Sequence, residues 1–442
     1  MELSRALRLQ GGDIVAFVGA GGKTSCLRRI TSELSKQMLV IATTTTKLAE
    51  HDISLASSHH VIDRPDDLDR VLASLAPHGS ALFTGPKIEP EGKWRGLTPA
   101  DLGRLITFTK AKAGIVLIEA DGARGAKIKA PAAHEPVIPA DVTLVVPLLR
   151  IDALGLRPED AQVHRPEQVA KLLGIEPGQP ILLDHLAGLI THAEGGLKNI
   201  PESAVVRVFI NAVESSERKT AAQALAQRLH EETRIHSVIL GALLAADPVL
   251  EVWGRTGVVV LAAGGSERFG GVKLLQSWRG RPILRQVVET VLASAVHPAV
   301  VVLGAHYEQV KASIADLPIR CVENARWKEG QSSSLKIGLE SIQDQCEAVL
   351  FVLGDMPDVD HELLRILVDA HRKSLHSVIA PAAGDRWGNP VLFDQRTFDE
   401  LLSLSGDRGG RALFERFPPF SVPADKSVLF DIDSPEDLNS AS

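Results

Sequence analysis

Residues 258–275 read VVVLAAGGSERFGGVKLL. The string opens with an apolar, β-branched run of the kind a buried parallel strand needs. It breaks at Gly264 and Gly265 and then reaches Gly270, Gly271 and Lys273. A strand feeding a glycine-rich loop lets the backbone come close to a ligand and lets successive N–H groups point at an anion. Arg268 and Lys273 set positive charge beside those groups, so a polyphosphate is the expected guest. The plain alternative is a surface turn carrying two solvated cations. The length of the full string, L-A-A-G-x-S-x-R-x-G-x-x-K, weighs against it.

Outward from this loop, the chain alternates strand and helix. Strands are expected at 258–263, 299–303, 320–323, 348–353 and 377–381, with an amphipathic helix at 282–292 opened by Pro282. That alternation predicts an open, mostly parallel sheet covered by helices, with the ligand at the carboxyl ends of the strands. Three further motifs fall at such ends. Residues 329–335 (EGQSSSL) open a helix, and Ser332 and Ser333 suit a cap or a base or ribose contact. Residues 354–357 (GDMP) place Asp355 after an apolar strand, where an acid beside a triphosphate makes sense as a Mg²⁺ ligand. In residues 431–438 (DIDSPEDL), Ser434, Pro435 and Asp437 spell a helix start, leaving Asp433 free as a second metal ligand. Each acid alone reads as a cap or turn residue; the set, with the loop, favours metal.

Together with 388–391 (GNPV) and 405–411 (SGDRGGR), these motifs resemble molybdenum cofactor cytidylyltransferase, a branch of the MobA-like nucleotidyltransferases, over about residues 256–440. The resemblance implies a Rossmann-like domain at 255–442 that transfers CMP from CTP to molybdopterin cofactor and releases pyrophosphate. It assigns the nucleotide to Leu261, Ala262, Ala263, Gly264, Gly265, Ser266, Arg268, Lys273, Ser332 and Ser333. It assigns catalysis to Arg268, Lys273 and Asp355, Mg²⁺ to Asp355 and Asp433, and the acceptor to Asn389, Pro390, Gly409 and Gly410. Leu261-Ala262-Ala263-Gly264 is the form associated with CTP, whereas guanylyl-transferring relatives tend to carry L-A-G-G. Asn389 stands where the family often has His. A cytidylyl- or uridylyltransferase acting on a sugar or polyol phosphate is the alternative enzyme.

The first half of the chain carries its own phosphate-loop pattern. Residues 13–18 (DIVAFV) read as a buried strand, followed by Gly19-Ala20-Gly21-Gly22-Lys23-Thr24 and then helical spacing. Such a loop offers N–H groups, a helix N-terminus and a lysine to phosphate, and a threonine hydroxyl to Mg²⁺. Phe17 occupies the place of the first glycine of a standard P-loop, so the spacing is nearer the shortened G-x-x-G-K-T loop of ATP-dependent amide ligases. A strand at 38–42 ends in four threonines, which either pack or, like Thr44, face the ligand crevice. Residues 84–98 read as a loop in which Lys93 is a solvated or phosphate-reaching cation. A strand at 114–120 ends in Glu119 and Asp121, which suit a Mg²⁺ site or an activated water as well as a turn. His134-Glu135 reads as structural. Further strands are expected at 141–147, 205–210 and 237–241.

The strings VGAGGKT, ATTTTK, IEADGARGAKIKAP and HEPVIP resemble, in that order, the selenium-dependent hydroxylase accessory family, over roughly residues 10–245. This implies a P-loop-like α/β domain at 1–250 that binds ATP or GTP through Gly19, Gly21, Gly22, Lys23, Thr24, Thr44, Glu119 and Asp121. The implied role is maturation of a molybdenum hydroxylase or delivery of its cofactor, with a non-catalytic delivery chaperone as the alternative. Asn211-Ala212-Val213-Glu214 lacks the Lys and Asp of the guanine-reading motif.

The bulk properties bound these readings. At 442 residues, two or three domains are expected, with punctuation for a boundary at 246–255. A net charge of −7 gives no basic footprint for nucleic acid. Cys26, Cys321 and Cys346 show neither metal-ligand spacing nor a disulfide framework, which fits a reducing cytoplasm. No apolar run approaches the roughly 18 residues of a spanning helix, and the start lacks the apolar core of a signal peptide.

Overall fold

The computed structural model describes residues 1–266 and 269–439. The chain divides into two compact units, Met1–Trp253 and Gly254–Ser442. Both are α/β.

The first unit is built on a nine-stranded sheet. Its strands are β1 (Ile14–Gly19), β2 (Leu39–Thr44), β3 (Ser58–Val61), β4 (Gly79–Thr84), β5 (Ile115–Glu119), β6 (Leu144–Arg150), β7 (Val205–Asn211), β8 (Ser237–Gly241) and β9 (Val249–Gly254). Their order across the sheet is β9-β8-β7-β6-β1-β5-β2-β4-β3. Every pairing from β8 to β3 is parallel. Ile14, Val15, Ala16 and Phe17 have no solvent exposure. Neighbouring residues of a strand point to opposite faces, so both faces of β1 are covered, as its unbroken apolar run requires. β1 lies mid-sheet, and the chain leaves it in opposite directions, to β2 through β5 on one side and to β6 and β7 on the other. That places the 19–24 loop at a switch point, where carboxyl-end crevices open. Residues 84–98 are more ordered than the expected loop. Lys87–Ile88 and Lys93–Arg95 pair antiparallel, and the latter pairs with Lys47–Ala49 to make a three-stranded flap.

The second unit contains β10 (Thr256–Ala262), β11 (Ala299–Leu303), β12 (Arg320–Glu323), β13 (Ala348–Leu353), β14 (Val378–Ala383), β15 (Arg386–Trp387), β16 (Val391–Asp394) and β17 (Phe420–Pro423). The order is β12-β11-β10-β13-β16-β14-β15, with β17 beside β14. β10 to β13 pair in parallel, as expected. β16 was not expected; it enters antiparallel between β13 and β14. Its sequence, VLFD, is a short apolar run that periodicity cannot assign. One apolar cluster joins Val258 and Val260 to the helix Ile283–Ala293, and another joins Val259 to the helix Gln331–Glu340, so the sheet is covered on both faces.

Candidate functional sites

In the second unit the site forms where β10 and β13 end. Gly354 donates to the Leu261 carbonyl at 2.9 Å, and a Cβ on Gly354 would lie 3.0 Å from both that oxygen and the Ala262 Cβ. Glycine therefore lets the 354–357 turn close against β10. Asp355 then faces Lys273, whose Nζ donates to Asp355 Oδ2 at 2.7 Å and lies 3.5 Å from Asp433 Oδ1. Three residues expected to act together are brought together across 160 positions of sequence. The C-terminal segment is tied in by the Ile432 N–H, 3.1 Å from the Asp355 carbonyl. Asp437 accepts from the Asp433 N–H, the Ser434 N–H and the Ser434 hydroxyl. The expected helix start is thus an Asp-closed turn followed by the short 3₁₀ turn Asp437–Asn439.

Sequence reasoning passed over Asp431. Its carboxyl is pushed above the ordinary range by its burial and by the charges of Asp433 and Asp355, with Lys273 pulling the other way. Its field also reaches Arg411, of the 405–411 motif, whose own pKa is lowered by burial. Two carboxylates thus pair with one ammonium while a third feels their charge, and that surplus of negative charge fits a divalent cation. Among the described residues no group of three His, Cys, Asp or Glu is arranged to hold a metal. Asp355 and Asp433 would then supply two ligands, leaving the rest to phosphate and water, which suits Mg²⁺.

The remaining expected residues divide. Ala262 and Ala263 are buried, and Gly264, Gly265 and Ser266 come to the surface. The left-handed turns of this loop fall on Ser266 (φ 52°) and Gly270 (φ 70°), not on Gly264 or Gly265. Arg268 lies outside the described residues. Ser332 and Ser333 are buried, and their hydroxyls donate inward, to Gly406 O at 2.7 Å and Gly330 O at 2.8 Å. Ser332 ties the helix start to the 405–411 loop, with Gln331 N meeting Asp407 Oδ1 at 3.3 Å, while Ser333 closes the turn before its own helix. Gly409 packs so close to Gln331 that a Cβ would lie 2.5 Å from its Oε1, and a Cβ on Gly410 would lie 2.6 Å from the Phe393 ring. Asn389 is half-buried with its N–H on Val428 O, and Pro390 is buried.

In the first unit, a cleft of about 1820 Å³ opens over the 19–24 loop, lined by Gly21, Gly22, Lys23, Thr24 and Glu119 among others. Gly19, Gly21 and Gly22 take φ of 89°, 85° and 145°, where a side chain would be strained. Lys23 begins the helix Lys23–Leu34 and contributes to the cleft wall, but its ammonium is tied back to the loop. Its Nζ turns back to Gly19 O at 2.6 Å and pairs with Asp121 Oδ1 at 3.1 Å. Asp121, only 1% exposed, also accepts from the Gly19 N–H and pairs with Lys129 at 2.8 Å. Lys129 in turn meets Glu135, which Arg165 holds with two hydrogen bonds. Asp121 is therefore locked in a buried ion network behind the loop and does not line the cleft. The network has three cations to two acids, leaving positive charge under the loop. Lys129 and Arg165 carried no sequence signal beyond their neighbours. Glu135 is structural, as expected; burial alone would raise its pKa, but Arg165 and Lys129 outweigh it and hold it at about 2.

Glu119 does face the cleft, accepting from Thr24 Oγ1 at 3.1 Å. Burial pushes its carboxyl up, against the pull of Lys23 and Thr24. Thr44 is fully buried, its hydroxyl on Glu119 O; Thr45 and Thr46, one and two places on, line the cleft instead. Asn211 stitches the loop to the neighbouring strand ends, donating to Gly21 O at 2.7 Å and accepting from Leu243 N at 3.1 Å. Among the described residues no helix is long and apolar enough to cross a membrane.

Comparison with known proteins follows this division. Residues 258–420 match the MobA-like NTP transferase domain family, and residues 15–167 match the YqeC protein family. The chain is 33% identical over 229 residues to the uncharacterized protein YqeC of Escherichia coli strain K12, covering 52% of this chain and 86% of that one. It is 32% identical over 191 residues to nicotine blue oxidoreductase of Paenarthrobacter nicotinovorans, covering 41% and 93%. It is 24% identical over 148 residues to a probable molybdenum cofactor guanylyltransferase of Bacillus cereus strain Q1, covering 33% and 72%. The chain thus belongs to the YqeC family through its first unit, and its second unit carries a match to the MobA-like NTP transferase domain over residues 258–420.

Proposed function

We propose that the second unit transfers CMP from CTP to the phosphate of molybdopterin cofactor, and that the first unit binds ATP or GTP in maturation of, or cofactor delivery to, a molybdenum hydroxylase. The observation that carries the transferase reading is Lys273 held between Asp355 and Asp433 at the ends of β10 and β13. A phosphate oxygen of the acceptor attacks the α-phosphorus of CTP. The bond to the β-phosphate oxygen breaks, and pyrophosphate leaves with its electron pair. This chemistry needs alignment and charge stabilisation more than covalent help from the protein. Lys273, released from its acids by the incoming triphosphate, neutralises charge on the phosphates. The 263–272 loop supplies N–H groups, and the Asp437 turn keeps Asp433 facing Lys273. Mg²⁺, when bound by Asp355 and Asp433, would add Lewis-acid polarisation of the transferred phosphate.

Leu261-Ala262-Ala263-Gly264 supports CTP; the Bacillus relative's name points to guanylyl transfer. Pyrophosphate release by the full chain, with Mg²⁺, each NTP and either molybdenum cofactor or a sugar phosphate, separates these readings. Release with CTP and the cofactor alone, lost in Asp355→Ala without loss of fold, is the expected result. Release with GTP instead would overturn the cytidylyl reading. Release with a sugar phosphate would move the acceptor, and redox turnover without use of NTP would replace transfer altogether. For the first unit, nucleotide binding lost in Lys23→Ala is expected.

A further inference from the structure

The cleft of the first unit, at about 1820 Å³, exceeds the roughly 300–1,000 Å³ that pockets for a single small ligand occupy. Its two ends differ in chemistry. Beside Gly21 and Gly22 the wall is Asn211, Leu243 and Leu244, the last 88% exposed. Arg150, which also approaches Gly21, is already held by Asp152 with two hydrogen bonds of 2.8 Å. This end is apolar and uncharged, as a nucleobase prefers. Past Thr24 and Glu119 the wall turns cationic. Arg124 follows β5, and Lys93 and Arg95 lie on the flap joined to Lys47, just beyond β2. β2 and β5 are neighbours, Thr44 opposite Glu119, so both cationic segments spring from one edge of the loop. Arg95 and Arg124 form no ion pair and no side-chain hydrogen bond among the described residues. Glu91, whose charge Lys93 also feels, is already held by Lys47 at 2.8 and 2.9 Å.

A nucleotide laid along the loop, base on Leu243 and Leu244, would end its phosphates near Thr24 and leave these cations unused. We propose that they form a subsite for a second ligand, a small molecule bearing a phosphate group, bound beside the terminal phosphate of the nucleotide. Guanidinium forks match phosphate oxygens, and the cleft is larger than one small ligand fills. The proposal rests on the nucleotide reading of the first unit and deepens it, because a unit that binds two phosphorylated ligands side by side is built for transfer or handover between them.

The test is calorimetric titration of the full chain carrying Lys273→Ala, which removes the second unit's phosphate contact, with inorganic pyrophosphate, in Mg²⁺ and saturating β,γ-imido-ATP or β,γ-imido-GTP. The expected result is pyrophosphate binding alongside the analogue, weakened about 10-fold or more in R95A/R124A and retained in R95K/R124K, with analogue affinity within about two-fold in both. Both side chains are exposed, so fold is preserved, and a thermal melt checks it. Full displacement of pyrophosphate by the analogue, or equal affinity in parent and R95A/R124A, would overturn the subsite. Failure of both analogues to bind would sink the nucleotide reading alone, since the R95A/R124A comparison still reports on the subsite.

Discussion

The two units each present a lysine after a glycine-rich loop, yet they treat it in opposite ways. Lys23 is 4% exposed and faces inward, onto Gly19 O and a carboxylate that is itself 1% exposed. Lys273 is 13% exposed and bridges Asp355 and Asp433, which are 23% and 66% exposed. The first arrangement belongs to a buried network that the fold depends on. The second is a cluster open to solvent, with one of its two acids largely exposed. Similar local strings therefore hold their lysines differently, one tied into a buried ion network and the other in a solvent-open cluster, and the difference lies in what stands behind each loop.

Substitutions probe that contrast directly. Asp121→Ala strips the common partner from Lys23 and Lys129 and leaves buried charge uncompensated, which costs about 3–5 kcal/mol. Chemical denaturation should show that loss, and a shift within a few tenths would put the network outside the folding energetics. Lys273→Ala should do the reverse, leaving the denaturation curve nearly unchanged while lowering nucleotidyl transfer by ~10²–10³. Steady-state pyrophosphate release measures it, and a comparable loss of stability would erase the distinction between the two lysines.

Acid offers a smaller test. Glu135 sits at about 2 against an ordinary 4.5, so the folded state resists protonating it. The stability it contributes is complete above about pH 4.5 and is lost as pH falls from there toward 2. Glu135→Gln should lower the unfolding midpoint at neutral pH and flatten its fall across that window; a parallel fall in both proteins would rule Glu135 out as its source. The smallest effect is expected at Asp431. Its raised carboxyl gives the transfer rate an acid limb above the usual carboxylate range, and Asp431→Asn should remove that limb while costing less than about ten-fold at neutral pH. An unchanged pH–rate profile would place Asp431 outside the working cluster.

Both glycine-rich loops, the alternation behind them and the acids at strand ends were legible in the sequence, because each is written in contiguous residues. Apolar runs fix the parallel strands, glycines mark the positive φ of the 19–24 loop, and an acid directly after a strand lands at its carboxyl end. Asp355 could be named on that rule, Asp433 because the Ser434–Asp437 helix start leaves it free, and Lys273 because it closes the glycine-rich loop. Pairing across long separations could not be read. Nothing local says that Asp121 turns away from the cleft to meet Lys129, or that Thr44 is buried while Thr45 and Thr46 line the crevice. Nor does it say that the Ser332 hydroxyl anchors a loop 74 residues away while the Ser333 hydroxyl stays local. Strand β16 was lost for the same reason, since a four-residue apolar run takes its direction from the neighbours it joins. Residue types and periodicity thus set which groups reach the strand ends. The sheet order, by choosing which ends are adjacent, decided which of those groups are consumed by one another and which stay available to a ligand.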